Sequence, residues 1–237
     1  MPQDMYLSID LLTAAMPGRG DGVAGLVDFE VEHDADTGLP LIKSRTIKGL
    51  LVDECSNILF ALRAQNAPQE SEWHDSAAFL FGKPGAFLSG SSQVQFGSAQ
   101  LHADLRDAVK YAQAVASDHS SASVFRVDKK SVLESLTGIR RRSSTDDSSG
   151  CPEDGSLRSA RLILRGLTFY SPVSFDSKPS QRALALLAAT IRSLKYLGSS
   201  RNRGMGFCDC KLLDNTFKDT GEIYLNEFAS LLGGPKS

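Results

Sequence analysis

Two stretches of the chain repeat apolar residues at three- and four-residue steps, which predicts two amphipathic helices. The first begins at Ser44, a candidate N-cap, and is expected to run to about Gln65. The second follows another candidate N-cap, Ser180, and is expected to stop at Gly198. The apolar stripe of the first helix comprises Ile47, Leu50, Leu51, Cys55, Ile58, Leu59 and Leu62.

Apolar and polar residues alternate in five other stretches, which is the pattern of half-buried strands. They are "MYLSIDLLTA", "VAGLVDFEVE", "SQVQFGSAQLHA", "ARLILRGLTFYSPVSF" and "MGFCDCKLL". Shorter helices are expected in "WHDSAAFLFG", ending at Gly82, in "DLRDAVKYAQAVAS", capped by Asp104, and in "YLNEFASLLGG". Without its excursions the chain follows the order strand, helix, strand, strand, helix, strand, which is typical of a ferredoxin-like sheet.

We therefore predict the α+β class, with residues 1–237 forming a single elaborated ferredoxin-like (RRM-like) domain. Residues 138–157 are small, polar and charged, so they are expected to form an exposed excursion from this domain. Many functions use this scaffold, RNA recognition across the open sheet face among them, so the fold alone does not identify the function.

The composition is that of a soluble globular protein, with 41% hydrophobic and 23% charged residues. No membrane-length apolar run, signal-peptide pattern or disulfide framework is evident, so a cytoplasmic location without membrane contact is expected. The net charge of −2 by itself argues against nucleic-acid binding. However, the charge is uneven: "DFEVEHDAD" is acidic, whereas "IRRRSS", "LRSARLILR" and "SSRNRG" are basic.

The glycine-rich stretch "YLGSSRNRGMGF" has two interpretations. Glycines let a backbone approach a phosphate closely, and Arg201, Asn202 and Arg203 could complete an anion site. Alternatively, the stretch is only a turn that joins a helix to the next strand.

A second basic group, Lys43, Ser44, Arg45 and Lys48, surrounds the predicted start of the first helix. Helix N-termini attract anions, and cations there have the wrong sign for helix stability. An anionic ligand would explain these residues, and a solvated first turn is the alternative.

Four motifs, in order along the chain, resemble those of the RAMP superfamily (repeat-associated mysterious proteins). "GLVDFEVEHDADTGLPLIKSRTIKGLL" is similar to its N-terminal signature, particularly in the subunits that form the repeating backbone of type III CRISPR effector complexes. "FLFGKPGAFLSGSSQVQFGSAQL" resembles its middle Phe-Gly segment, "TGIRRRSSTDDSSGCPEDGSLRSARLILRGLTF" its protruding thumb hairpin, and "LGSSRNRGMGF" its C-terminal glycine-rich loop. Two features depart from the family pattern: "IKSRT" replaces the usual Pro-Gly-Ser-Ser, and the last loop has fewer glycines than many relatives.

The resemblance implies a subunit that wraps guide RNA and inserts its thumb, residues 138–157, between base-paired segments. Its partners would be the guide RNA, the complementary target RNA, neighbouring RAMP subunits and other proteins of an antiviral effector complex. It also implies a metal-dependent endoribonuclease that cleaves paired target RNA through Asp28 and Mg²⁺ or Mn²⁺, without an organic cofactor. Arg140 and Arg141 in the thumb join the expected RNA-binding residues.

The residues around Asp28 are compatible with that chemistry. In an extended segment Asp28, Glu30 and Glu32 lie on one face, and carboxylates are ligands that Mg²⁺ prefers. The alternative is an edge segment whose carboxylates face water. The resemblance assigns a role to Asp28 alone.

Two other functions remain open: a non-catalytic RNA-binding subunit of the same complex, and a metal-independent guide-processing ribonuclease with a histidine base. Of the four histidines (His33, His74, His102 and His119), only His33 is near Asp28 in the sequence. Cys208 and Cys210 share a strand face, with Cys151 in the thumb, but they lack a clear fourth zinc ligand.

Overall fold

The described residues form a four-stranded sheet, a separate two-stranded hairpin and six helices. The computed structural model describes residues 5–18, 22, 27–83, 91–117, 127–143, 156–199 and 203–233. The elements in chain order are β1 (Met5–Leu11), α1 (Ser44–Ala64), α2 (Glu70–Phe81), β2 (Val94–Phe96), α3 (Ala103–Ser117), α4 (Lys129–Leu136), β3 (Thr137–Arg142), β4 (Arg158–Ile163), β5 (Thr168–Phe175), α5 (Gln181–Ser193), β6 (Cys208–Leu213) and α6 (Gly221–Leu231).

Four strands form an antiparallel sheet in the order β2–β5–β1–β6. The central strand β1 pairs on both sides, with Ile9 opposite Phe169 in β5 and Cys210 in β6. Helix α1 comes between the first and second of these strands along the chain, and α5 between the third and fourth. This topology confirms the predicted α+β class and ferredoxin-like sheet.

Alternation along the strands gives the sheet one buried apolar face, on which the helices pack. Leu7, Ile9 and Leu11 of β1 are buried, whereas Tyr6 and Asp10 lie on the opposite face and are partly exposed. Helix α5 contacts α1, α2, α6 and β6, which explains why every residue from 183 to 191 is buried. Among the described residues, no helix has the length and hydropathy needed to cross a membrane.

The two predicted helix starts differ in their capping. Ser180 is the N-cap of α5, and its hydroxyl accepts a hydrogen bond from the Ala183 N–H at 3.1 Å, as predicted. The prediction that Ser44 caps α1 is wrong, because Lys43 has the extended N-cap backbone and Ser44 is already helical. The Lys43 side chain provides no capping hydrogen bond and instead forms an ion pair with Glu32, with Nζ 2.8 Å from Oε2.

Gly198 does not end α5, contrary to the prediction, because that helix stops at Ser193. The role of Gly198 is a close backbone contact: at its φ of +84°, a Cβ atom would lie 2.4 Å from the Met16 carbonyl oxygen. Sequence spacing alone could not distinguish a helix stop from this tertiary contact.

Four further features depart from the sequence predictions. Residues 27–33 form isolated bridges rather than a strand, and the alternating stretch after residue 159 divides into β4 and β5 at a turn containing Gly166. Helix α4 was not predicted, although Asp128 and Ser131 exchange the two hydrogen bonds of a capping box. Asp104, predicted to cap α3, lies inside its first turn.

The predicted thumb starts from a regular hairpin. β3 pairs with β4 in antiparallel register from Thr137 opposite Ile163 to Arg142 opposite Arg158. Residues 144–155, the remainder of the predicted excursion, lie outside the described residues.

Candidate nucleic-acid interface and Asp28

Hydrogen bonds to β4 fix the position of Asp28. The Asp28 N–H donates to the Ser159 carbonyl at 2.9 Å, and the Asp28 Oδ2 atom accepts from the Ser159 N–H at 2.6 Å and from its hydroxyl at 3.0 Å. The next residue, Phe29, is also held against β4, by an isolated parallel β-bridge to Ala160. Asp28 is therefore held against the β3–β4 hairpin although Asp28 and Ser159 are 131 residues apart in sequence.

The same contacts favour the ionised form of Asp28. Its side chain is exposed, and the hydrogen bonds from the Ser159 N–H and hydroxyl, with a smaller effect of the Arg158 charge, lower the pKa of the carboxyl below its ordinary value. At neutral pH Asp28 is therefore an anion suited to binding a cation, and it does not carry the proton that a general acid would need.

The neighbouring carboxylates do not share a site with Asp28. Glu30 is buried and pairs with the equally buried Arg161, with Oε1 2.8 Å from Nε, while Glu32 pairs with Lys43 at 2.8 Å. Within the described residues, no group of three His, Cys, Asp or Glu side chains could hold a metal ion. The sequence-based idea of one acidic face formed by these residues is therefore wrong, because each carboxylate has a separate partner.

Three arginines converge beside the hairpin. The guanidinium groups of Arg140 and Arg142 approach the sulfur of buried Met205 at 3.5 and 2.9 Å. Burial, together with the charges of Arg140 and Arg203, lowers the pKa of Arg142. Within the described residues neither Arg140 nor Arg203 pairs with a carboxylate, so the group is a concentrated positive charge suited to phosphate.

Strand geometry separates residues that are adjacent in sequence. Arg141 is paired with Ser159 and lies on the opposite face of β3 from Arg140 and Arg142. The structure thus brings Arg140 together with Arg203 but directs Arg141 to the face of the Asp28 attachment. Arg142 was missed as a candidate, although the i, i+2 spacing in "IRRR" was the signal that could have identified it.

The start of α1 carries the second basic group. Lys43, Ser44, Arg45 and Lys48 remain together there, and the first turn contains no acidic residue. Ser44, Arg45 and Lys48 line an open cavity of about 480 Å³. The Lys43 charge is partly satisfied by Glu32, which leaves Arg45 and Lys48 as the principal cations of this cavity.

Close backbone contacts join the two described sides of the glycine-rich loop. A Cβ atom on Gly206 would lie 2.0 Å from the Leu197 carbonyl oxygen, and the Leu197 N–H donates to the Gly206 carbonyl at 2.8 Å. The loop also delivers exposed Arg203 to the arginine group described above. Arg201 and Asn202 lie outside the described residues.

The histidines and cysteines do not form a second catalytic or metal site in the described part of the chain. His33 Nδ1 lies 3.3 Å from the Val31 carbonyl oxygen. His74 lies beside Glu70 of the same helix, α2, and His102 lies beside Asp104 at the start of α3. Cys208 and Cys210 are buried with their sulfurs 3.9 Å apart. His119 and Cys151 lie outside the described residues.

Comparisons with known proteins agree with this architecture. The chain is similar to a chain in the cryo-EM structure of the Type III-B Cmr-beta bound to cognate target RNA, with 14% identity, a TM-score of 0.61, and coverage of 88% of this chain and 96% of that one. It is also similar to a chain in the apo state of Type III-B Cmr-beta, with 14% identity, a TM-score of 0.60, and coverage of 90% and 98% respectively. No curated protein matches. The RAMP superfamily model matches residues 12–209, and the chain therefore belongs to the RAMP superfamily.

Proposed function

We propose that this protein is a guide-RNA-binding backbone subunit of a type III CRISPR complex and that it cleaves paired target RNA through Asp28. Superfamily membership and the similarity to chains of Type III-B Cmr-beta, one of them bound to cognate target RNA, support the assignment. The observation that carries the catalytic part is the attachment of an exposed, anionic Asp28 to Ser159 in the hairpin.

Two basic surfaces support the binding part of the proposal. The arginine group, Arg140, Arg142 and Arg203, would contact phosphates near the hairpin. The start of α1 would hold another phosphate at the positive end of the helix, beside Arg45 and Lys48. Both surfaces would contact the charged phosphates of the RNA backbone and not the edges of the bases. Such contacts do not depend on sequence, which suits a subunit that accepts guides of any sequence.

For RNA cleavage, the 2′-hydroxyl must be aligned for attack on the adjacent phosphorus. Asp28 would position a cation at that phosphate, because its pKa is lowered and its hydrogen bonds to Ser159 use Oδ2, which leaves Oδ1 for a ligand. A single carboxylate suits Mg²⁺ or Mn²⁺ when RNA phosphates and water complete the coordination, so the donor set fits an ion that arrives with the substrate. Such an ion would neutralise charge developing on the phosphate.

A non-catalytic, RNA-binding structural subunit is the second candidate. The observation in its favour is that no three-ligand acidic, histidine or cysteine cluster exists among the described residues. In that case Asp28 would serve only to attach residues 27–33 to the hairpin.

The test uses the assembled complex with complementary RNA and Mg²⁺, comparing wild type with Asp28→Asn. We expect cleavage to fall at least about 100-fold, the scale for loss of one electrostatic catalytic group, while target affinity is retained. Asp36→Asn, which neutralises an exposed aspartate of the neighbouring turn, is the matched control and should cleave normally.

Three outcomes separate the candidates. Loss of cleavage on adding EDTA is expected for the metal-dependent nuclease. Unchanged cleavage by Asp28→Asn would contradict the role of Asp28. Tight target binding without cleavage in the wild type would favour the structural candidate.

A further inference from the structure

The face of the main sheet opposite α1 and α5 carries an aromatic cavity of about 520 Å³. Tyr6 and Tyr170 project from adjacent strands, and Phe217 covers them from the turn after β6. Phe217 stacks on Tyr6 with ring centroids 4.7 Å apart and an interplanar angle of 23°, and it meets Tyr170 edge-on at 5.4 Å. The edge of His102 completes the ring cluster at 5.8 Å from Tyr170.

The turn holds Phe217 in this position at an energetic cost. Its φ of +61° lies in the left-handed region, which is unfavourable for a bulky residue. The Asp214 carboxylate stabilises the turn by accepting hydrogen bonds from the Thr216 N–H and hydroxyl and from the Lys218 N–H, at 2.6 to 3.0 Å. The ring nevertheless remains 45% exposed, so burial of Phe217 does not explain the strain.

The polar groups of the cavity suit a ligand that accepts hydrogen bonds. Arg106 lines it, and the Nε–H of Arg106 is buried without a hydrogen-bond partner among the described residues. Its Nη1 atom donates to the side-chain oxygen of Gln100, which also lines the cavity. No carboxylate is among the described residues that line it. Orphaned donors of this kind are costly, and a ligand acceptor would satisfy this one.

The cavity adjoins the basic start of α1. Ser98 lines the cavity, and its hydroxyl accepts a hydrogen bond of 3.4 Å from the N–H of Ser44, the first residue of that helix. A phosphate at the start of α1 and a base in the aromatic cavity would therefore belong to neighbouring parts of one strand.

We propose that this cavity binds an unpaired nucleobase of single-stranded RNA, stacked on Phe217 and meeting Tyr170 edge-on, with Arg106 contacting its polar edge or adjoining phosphate. Sequence-tolerant stacking on aromatic side chains is how single strands are commonly held. The site is separate from Asp28 and from the arginine group, so it does not depend on the proposed nuclease activity.

The experiment measures the affinity of the full-length chain for a short single-stranded RNA and for the same strand with abasic ribose units. Phe217→Gly removes the ring and also accepts the positive φ, so folding should be preserved. We expect RNA affinity to fall about 5- to 100-fold, from a stacking contribution of about 1 to 3 kcal/mol, with the difference between normal and abasic strands greatly reduced. Phe217→Leu, which keeps apolar bulk without a π face, should behave similarly.

Two controls isolate the stacking effect. Phe60→Ala, which removes an aromatic ring that is 75% exposed on α1 and outside the cavity, should bind as wild type. Arg203→Ala should flatten the dependence of affinity on salt concentration, whereas Phe217→Gly should leave that slope unchanged because no phosphate contact is lost.

Unchanged RNA affinity in both Phe217 variants would overturn the proposal. So would a loss of association with neighbouring protein subunits in these variants without a loss of RNA affinity, because the occupant would then be a protein segment. Failure of Asp28→Asn to affect cleavage would leave the aromatic site untouched.

Discussion

The helix-covered face of the main sheet and the Asp28 edge, defined as residues 27–33 with the β3–β4 hairpin, are held together in different ways. On the covered face, apolar side chains such as Leu7, Ile9 and Phe169 pack beneath α5. At the Asp28 edge, a buried Glu30–Arg161 ion pair and hydrogen bonds between Asp28 and Ser159 provide the attachment. Apolar packing tolerates substitution by similar residues, whereas the polar edge depends on particular pairs.

The largest expected effect on stability comes from breaking the buried ion pair of the Asp28 edge. Arg161→Met leaves the Glu30 carboxylate buried without its partner, and we expect a loss of about 3 to 5 kcal/mol in the free energy of unfolding, measured by urea denaturation. The double variant Glu30→Met/Arg161→Met should recover most of that loss, because neither charge remains buried.

The control for this prediction is an exposed pair. Arg192→Met removes a partner of Asp209, where the side chains are 49% and 30% exposed, and should change stability by no more than about 1 kcal/mol. If Arg161→Met and Arg192→Met lowered the free energy of unfolding equally, the buried ion pair of the Asp28 edge would be no more important than an exposed ion pair.

A smaller loss of stability is expected from removing the N-cap of a helix on the covered face. Ser180→Ala removes the hydrogen bond to the Ala183 N–H at the start of α5 and should cost about 1 kcal/mol by the same denaturation measurement. Ser44→Ala should change stability by only a few tenths of a kcal/mol, because Ser44 lies inside α1 and Lys43 is the N-cap. A larger loss for Ser44→Ala would restore the sequence-based capping assignment.

The smallest effect is the pH dependence of the Asp28 attachment. Since the folded state lowers the pKa of Asp28, ionised Asp28 favours folding at pH values above its unfolded pKa of about 3.8, and this contribution is lost as the pH falls through the folded value. The stability difference between wild type and Asp28→Asn should therefore be constant near neutral pH and should shrink below about pH 3.8. A difference that grows on acidification would contradict the attachment to Ser159.

The candidate site residues were predictable to different degrees. Lys43, Ser44, Arg45 and Lys48 lie together because they are close in sequence at one helix end. Asp28 was identifiable only from the family resemblance, since nothing in "DFEVEHDAD" distinguishes it from Glu30 and Glu32. The structure separates the three by giving each a different partner: Ser159, Arg161 and Lys43.

The amino-acid sequence by itself determined the ferredoxin-like order of elements, the start of α5 at Ser180, and the basic start of α1. These features depend on the periodicity of apolar residues and on residues that are close together in sequence, so short stretches of the sequence are enough to predict them. Only the tertiary structure decided that Asp28 attaches to the β3–β4 hairpin, that Arg142 joins Arg140 and Arg203, and that Phe217 covers Tyr6 and Tyr170. The reason is physical: those contacts join segments far apart in the chain, and their partners are set by strand register, face and loop closure rather than by local spacing.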